Sequence, residues 1–185
     1  MKAIAVYCGA SSGLDPRYAG WARDLARVLV ARNIGLVYGG GNVGLMGVIA
    51  DEVMRLGGEA TGVIPRALLE REVGHPGLTR QFVVKDMHER KAMMSDLADG
   101  FIAMPGGMGT LEELFEMVTW AQLGIHAKPI GLYNVNGFWD GLLAFVGHMV
   151  AQGFVRPAHA ALMMHDADPE VLVARLVGAG APTLR

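Results

Sequence analysis

The sequence is poor in charge and almost without cysteine, and each shortage excludes a class of protein. Charged residues make up 18% of the 185 positions and hydrophobic residues 52%, a balance that excludes a disordered chain. The net charge is -2 and no basic block is present, so no attraction to nucleic acid is expected. Cys8 is the single cysteine, which excludes a disulfide framework and favours a reducing compartment.

Long hydrophobic runs and recognisable metal motifs are also missing. The start, MKAIAVYCGASSG, has one lysine and too short an apolar run for a signal peptide or a membrane span. The six histidines show no spacing with acids that is typical of a zinc helix, and no Gly-x-Ser-x-Gly turn presents a serine nucleophile. We therefore expect a cytoplasmic protein with no metal, no cofactor and no membrane partner.

Short apolar runs alternate with helical patterns along the chain. The runs predict strands at 2–7, 35–38, 60–64, 81–84, 100–103 and 129–133, and the patterns between them predict helices at 16–32, 44–56, 86–98, 110–123 and 138–152. A last strand or turn and a terminal helix are expected after residue 157, and residues 65–80 are the least regular stretch. This alternation predicts an α/β fold, a Rossmann-like three-layer sandwich with a mostly parallel sheet and helices on both faces, in one domain over residues 1–185.

Three strand-to-helix turns are rich in glycine: CGASSGLDP, YGGGNVGLMG and MPGGMGTLEE. Glycine lets a ligand approach the backbone, and the helix that follows offers free N–H groups and the positive end of its dipole, an arrangement that suits a phosphate. Glycine also serves ordinary tight turns, and the first loop fits that role equally well.

The glycine loops do not match the motifs of ATP hydrolysis or NAD binding. No Gly-Lys-[Ser/Thr] follows them, and the second loop is not followed by an acidic residue at a strand end about twenty positions on. A mononucleotide is therefore the preferred ligand.

The acids after the third loop have two explanations. Thr110 to Glu113 fits a capping box, with Thr110 as N-cap and the Glu113 carboxylate reaching back to its N–H. Capping and catalysis explain Glu113 equally well, and a capped position can also aim the carboxylate at a ligand. Glu112 fits a favourable negative charge at the helix start.

The helix in KDMHERKAMMSDLADG carries two adjacent cations. Asp86 and Glu89 form another capping box at its start. Arg90 recurs on one helical stripe with three apolar residues, Met87, Met94 and Leu97. A guanidinium that faces inward needs a carboxylate of the protein or an anionic ligand as its partner. Lys91 either flanks the same pocket or extends its ammonium to solvent.

Three segments together resemble one family: YGGGNVGLMG, MHERKAMM and PGGMGTLEELFEMVTWAQLGIH. They are similar to the LONELY GUY (LOG) family of cytokinin riboside 5′-monophosphate phosphoribohydrolases, once called lysine decarboxylases. The resemblance includes VYCGASSGLDPRY and KPIGLYNVNGFWDGLL and extends to about residue 152. The combination of Arg-Lys on one helix with Pro-Gly-Gly-x-Gly-Thr-x-x-Glu on the next loop is its specific signature.

The resemblance implies an activity, an assembly and a set of site residues. The activity is cleavage of the N-glycosidic bond of an N6-modified adenosine 5′-monophosphate, which releases the free base and ribose 5-phosphate, and the assembly is a homodimer. Arg90 and Glu113 match the catalytic positions. The substrate-binding set that we carry over is Glu72, Lys91, Gly106, Gly107, Met108, Gly109, Thr110, Leu111, Glu112 and Thr119.

Two other functions compete with this one. A non-catalytic binder has its example in the related molybdenum cofactor carrier proteins, which share the glycine-loop architecture without the full Arg-Lys and Gly-Thr-x-x-Glu combination. A decarboxylase would need a pyridoxal phosphate lysine, and none of Lys85, Lys91 and Lys128 stands in a recognisable cofactor context. The intact signature favours the enzyme, and the sequence leaves open whether the substrate is a cytokinin nucleotide or plain AMP.

Overall fold

The computed structural model describes residues 1–72 and 74–179, and the side chains of residues 70–72 lie outside that description. In this part of the chain seven parallel strands form one sheet in the order β4-β3-β2-β1-β5-β6-β7. The strands are β1 Ala3–Tyr7, β2 Gly35–Tyr38, β3 Ala60–Pro65, β4 Arg80–Val84, β5 Gly100–Ala103, β6 Ile130–Tyr133 and β7 Met163–Asp166.

Eight α-helices lie within the described ranges. They are α1 Arg17–Ala31, α2 Gly44–Arg55, α3 Arg66–Glu72, α4 Met87–Leu97, α5 Met108–Gln122, α6 Asp140–Ala151, α7 Pro157–Ala160 and α8 Pro169–Gly178, with a 3₁₀ turn at Val135–Gly137. The expected strands and the five expected helices are confirmed, as are the last strand and the terminal helix. The sequence patterns missed α3 and α7, because both are too short to establish a helical period.

The strand order places a topological switch point between β1 and β5. From β1 the chain proceeds outward through β2, β3 and β4, and it then returns to pair β5 with the free side of β1. Tyr7 and Ala103, the last residues of these two strands, lie opposite each other, so the first and third glycine loops leave the sheet together. Ligands of open α/β sheets bind in the crevice at such a point, outside the carboxyl ends of the strands.

Helices cover both faces of the sheet and create two hydrophobic cores. Ile4 and Val6 pack into the core that contains α1, α2 and α8, whereas Ala5 and Tyr7 pack into the one that contains α4, α5 and α6. This alternation along β1 explains why the strand is a continuous apolar run. The predicted three-layer α/β sandwich is therefore confirmed.

The start of α4 follows the predicted capping box, with one shift. The Asp86 carboxylate accepts a hydrogen bond of 2.9 Å from the backbone N–H of Glu89, as a cap should. The Glu89 carboxylate accepts from the N–H of Lys85 at 2.7 Å, one residue before the cap. Side chains of α4 therefore occupy the polar groups around its own N-terminus.

None of the described helices has the length and apolar character that crossing a bilayer requires.

Candidate active site

A cavity of about 550 Å³ lies at the switch point between β1 and β5. The loops after β1 and β5 contribute most of its walls, together with residues of α1, α2, α4 and α5 and with Phe138 after β6. The lining residues are Cys8, Gly9, Ala10, Ser11, Ser12, Gly13, Tyr18, Leu45, Met46, Arg90, Pro105, Gly106, Gly107, Gly109, Thr110, Glu113 and Phe138. Its volume is of the size that small-molecule sites have.

Direct contacts between the three glycine loops form the floor of the cavity. The N–H of Gly9 donates to the carbonyl of Pro105 at 3.1 Å, and the N–H of Leu45 donates to the carbonyl of Gly9 at 3.0 Å. Gly44 has a positive φ of 58°, and a Cβ there would lie 2.3 Å from the carbonyl carbon of Ala10. Glycine at position 44 is therefore required by chain packing.

The glycines of the third loop divide into two kinds. A Cβ on Gly106 would lie 2.1 Å from the Thr110 hydroxyl and 2.9 Å from the backbone nitrogen of Gly9, so packing excludes a side chain there. A Cβ on Gly107 or Gly109 would meet no atom of the protein within 4 Å. Packing explains why residue 106 is glycine, but it does not explain glycine at positions 107 and 109.

Helix α5 begins earlier than the sequence predicted. Its N-cap is Gly107 and its first residue is Met108, and no side chain caps it. The prediction that Thr110 is the N-cap of a capping box with Glu113 is wrong, because glycine is itself an accepted N-cap and the turn already ends at Gly107. Thr110 is instead buried in the first turn, and Glu113 lies in the second turn.

The early, uncapped start has a chemical consequence at the cavity. The first intrahelical bond runs from the N–H of Leu111 to the carbonyl of Gly107, at 3.2 Å. The N–H groups before it have no partner within the helix, and they sit at the positive end of the helix dipole. Gly107, Gly109 and Thr110 line the cavity, so one end of it is a helix N-terminus of the kind that suits an anion.

Arg90 crosses from α4 to the ends of β2 and β3. Its residue exposure is 7%; Nε donates to the carbonyl of Val63 and Nη2 to that of Gly39, both at 3.1 Å. Nη1 lies 3.8 Å from Oε1 of Glu113. The predicted inward direction of this side chain is confirmed. A Cβ on Gly39 would lie 1.9 Å from Nη2, so the second glycine loop makes room for the guanidinium.

Glu113 is a buried carboxyl in the cavity wall, with 8% of its surface exposed. Burial raises its pKa from the ordinary value of 4.5 to about 7, and the nearby Arg90 guanidinium partly opposes this rise. Such a group exchanges its proton near neutral pH, as a general acid or base must.

The ammonium of Lys91 contacts α5 and does not line the cavity, although Lys91 follows Arg90 in sequence. It is 4% exposed, and its ammonium donates to the carboxylate of Glu112 and lies 3.0 Å from that of Glu116. It is thus held by carboxylates of α5 and does not line the cavity.

The structure separates the residues that the sequence grouped as one site. The cavity is lined by Arg90, Gly106, Gly107, Gly109, Thr110 and Glu113. The residues not in its lining are Lys91, Met108, Leu111, Glu112 and Thr119. The side chain of Glu72 lies outside the described part of the chain.

Sequence reasoning missed the apolar wall of the cavity. Tyr18 and Phe138 meet edge to face with their ring centroids 6.0 Å apart, and Leu45 and Met46 line the cavity as well. Nothing in the local pattern marks these residues, because they come from three separate segments that only the fold brings together. Across the described residues, no three His, Cys, Asp or Glu side chains are grouped to hold a metal ion.

Comparison with known proteins adds a family to this geometry. A family model described as "Possible lysine decarboxylase" matches residues 46–176. The chain is 49% identical over 175 residues to a probable cytokinin riboside 5′-monophosphate phosphoribohydrolase of Oryza sativa subsp. japonica, covering 95% of this chain and 77% of the relative. It is 52% identical over 154 residues to a cytokinin riboside 5′-monophosphate phosphoribohydrolase of Arabidopsis thaliana, covering 83% of this chain and 72% of that one.

Solved structures share the fold at much lower identity. The molybdenum cofactor carrier protein of Chlamydomonas reinhardtii has a TM-score of 0.69 at 19% identity, over 96% of this chain and 98% of that one. The molybdenum cofactor binding protein of Rippkaea orientalis has a TM-score of 0.69 at 20% identity, over 95% of each chain. These likenesses concern the fold alone. The sequence relatives and the family match show that the chain belongs to the LONELY GUY family of cytokinin riboside 5′-monophosphate phosphoribohydrolases.

Proposed function

We propose that this protein hydrolyses the N-glycosidic bond of an N6-modified adenosine 5′-monophosphate and releases the free base, an active cytokinin, and ribose 5-phosphate. One observation carries the proposal: a buried carboxyl, Glu113, and a buried guanidinium, Arg90, lie 3.8 Å apart in the same cavity as an uncapped helix N-terminus. The activity of its relatives agrees with this arrangement.

The start of α5 is the proposed site for the 5′-phosphate. Gly107 and Gly109 leave open space where a side chain would stand, so phosphate oxygens can approach the backbone N–H groups of the first turn. Thr110 adds a hydroxyl beside them in the cavity wall. Binding the phosphate here fixes the ribose near the second turn of the same helix, where Glu113 stands.

The two buried charges divide the chemistry between them. As the bond between C1′ and the base nitrogen breaks, positive charge develops on the ribose and negative charge on the base. The Glu113 carboxylate stabilises the ribose cation and accepts a proton from the attacking water, whose oxygen bonds to C1′. Arg90 stabilises the negative charge on the departing base. The base then takes up the proton that Glu113 accepted from the water.

The apolar wall suits the base. Tyr18, Leu45, Met46 and Phe138 offer flat and flexible apolar surfaces within the same cavity. An adenine with an apolar N6 substituent would bury its rings there, while its phosphate would reach the helix terminus.

Several expectations from the sequence stay predictions. Substrate contacts of Glu72, Met108, Leu111, Glu112 and Thr119 are among them. So are the homodimer, the cytoplasmic location and the single domain over residues 1–185.

Base release from two substrates tests the proposal. Purified protein is incubated with isopentenyladenosine 5′-monophosphate and with AMP, and the free base is resolved by chromatography. We expect release from at least the isopentenyl nucleotide, and the ratio of the two rates identifies the preferred substrate. If the protein bound nucleotide and released no base from either, the carrier hypothesis would replace the enzyme.

A further inference from the structure

Two groups of ion pairs connect α4 and α5, and only one of them lies in the cavity. The first joins Arg90 to Glu113, and the second joins Lys91 to Glu112 and Glu116. We propose that Lys91 is a positioning residue, whose ammonium ties α4 to α5 and thereby sets the spacing and charge balance of Arg90 and Glu113. This inference rests on the proposed function only for its effect on turnover.

The order of residues along the two helices couples the pairs mechanically. Arg90 and Lys91 are consecutive on α4, so a shift of the helix relative to α5 moves both residues together. Glu112 and Glu116 lie four residues apart on α5 and therefore share one face, with Glu113 next to Glu112. A contact that holds Lys91 against this face also holds Arg90 at its distance from Glu113.

Because the Lys91 ammonium is buried, its contact with Glu112 and Glu116 strongly restricts movement of α4 relative to α5. Lys91 is 4% exposed, whereas Glu112 is half exposed and Glu116 is partly buried. A buried ammonium must be matched by hydrogen-bonding carboxylates, and the removal of one partner leaves an uncompensated charge. These partners belong to the protein, and the ammonium is not part of the cavity wall. The two carboxylates of the protein therefore explain the buried position of the Lys91 ammonium, without any contact with substrate.

The contact of Lys91 with Glu112 and Glu116, which we call the clamp, also affects the protonation of Glu113 through its charges. Burial is the main reason that the pKa of Glu113 is raised to about 7, while Arg90 and Lys91 lower it and Glu112 and Glu116 raise it. Tyr7 and Cys8 also face this carboxyl, and burial raises the pKa of both, so they are uncharged near neutral pH. Among these groups, the charges that can be changed without touching the cavity are on Lys91, Glu112 and Glu116.

A carboxyl titration tests the clamp without any substrate. The Glu113 side chain is followed by ¹³C NMR against pH, with the Glu113→Gln variant to identify its signal. We expect Lys91→Met to raise the titration midpoint and Glu116→Gln to lower it, because the two variants remove opposite charges. Lys128→Met is the matched control, since the Lys128 ammonium also holds α4, through the carbonyl of Ser95 at 2.6 Å, without facing Glu113.

Kinetics separate a clamp from a substrate contact. For Lys91→Met we expect kcat at pH 7 to fall by about fivefold if the midpoint rises by about one unit, with KM for the nucleotide changed less than about threefold. A KM increase of about tenfold with an unchanged Glu113 midpoint would make Lys91 a substrate ligand and overturn the proposal.

The Glu116→Gln variant still tests the clamp if Lys91→Met misfolds, and the titration still tests it if the proposed function fails. If Lys91→Met does not fold, an unshifted midpoint in Glu116→Gln overturns the clamp by itself, and a lowered midpoint supports it. A wild-type protein that releases no base would refute the phosphoribohydrolase proposal, whereas the titration would still decide the role of Lys91.

Discussion

Helices α4 and α5 begin in opposite ways. Asp86 caps α4 with its carboxylate, and Glu89 occupies the N–H just before that cap. Helix α5 begins at a bare glycine, Gly107, and its first turn opens on the cavity. A helix that only has to be stable satisfies its own N-terminus, while one that binds an anion leaves its N–H groups free. The difference agrees with the proposal that the start of α5 binds the phosphate and that the start of α4 only stabilises its helix.

The largest expected effect comes from the carboxyl that α5 carries. Glu113→Gln keeps the shape and removes the negative charge that stabilises the ribose cation, so kcat should fall by about a thousandfold. Affinity for AMP should be retained, because the phosphate site is one turn away. Chromatography of the free base and calorimetric binding measure the two quantities. Normal turnover combined with a lower melting temperature would instead indicate a purely structural carboxyl.

Two glycine substitutions at the start of α5, Gly109→Ala and Gly106→Ala, test whether open space there serves the phosphate. Gly109→Ala meets no atom within 4 Å and replaces a helical glycine, so stability should rise by about 0.5–1 kcal/mol. The new methyl group occupies the phosphate approach, and KM should rise by about tenfold, the loss of one charged hydrogen bond.

Gly106→Ala is the matched control for that substitution. Its Cβ would press on Thr110 and Gly9, and stability should fall by about 1–3 kcal/mol. Melting curves and KM for the nucleotide are measured on both variants. An unchanged KM in Gly109→Ala would remove the α5 terminus from the phosphate site.

The pH dependence should follow Glu113. Since its pKa is raised to about 7 and catalysis uses the carboxylate, kcat should fall by about fivefold from pH 7 to pH 6. The folded chain binds this proton more tightly than the unfolded chain, so the contribution of Glu113 to the free energy of unfolding falls as pH rises from 4.5 to about 7. Urea denaturation of wild type and Glu113→Gln should therefore show the variant gaining relative stability from pH 5 to pH 8. A stability difference that is the same at both pH values would contradict the raised pKa.

The smallest effect is expected at the capped helix. Asp86→Ala removes the bond to the N–H of Glu89 and should lower Tm by about 2–4 °C, while Asp86→Asn, which keeps a cap, should lower it less. KM and kcat should remain unchanged in both, as measured by base release. A loss of activity in Asp86→Ala would mean that the two helix starts do not differ in role.

The sequence predicted the fold and the inward direction of Arg90, for identifiable reasons. Buried parallel strands such as β1 are continuous apolar runs, and a sheet of that kind must have its ligand site beyond the carboxyl ends of its strands. Arg90 could be assigned to the interior because its helical period matched that of Met94, which is buried, although Met87 and Leu97 of the same predicted stripe are exposed. These predictions depend on local periodicity, which the chain displays directly.

The rest depends on contacts between distant segments. The start of α5 was misjudged because the capping rule selected Thr110, although Gly107 ends the turn first. The pairing of Lys91 with Glu112 and Glu116 joins two helices whose relative rotation no local pattern specifies. The aromatic contact between Tyr18 and Phe138 likewise exists only after the sheet has brought α1 and the loop after β6 together.

Product analysis of a single reaction tests the central claim most directly. Wild-type protein is incubated with isopentenyladenosine 5′-monophosphate, and free base, ribose 5-phosphate, nucleoside and inorganic phosphate are all quantified. We predict equimolar free base and ribose 5-phosphate, with neither nucleoside nor inorganic phosphate formed. Nucleoside with inorganic phosphate, or no product at all, would contradict a site in which α5 holds the phosphate and Glu113 acts on the ribose.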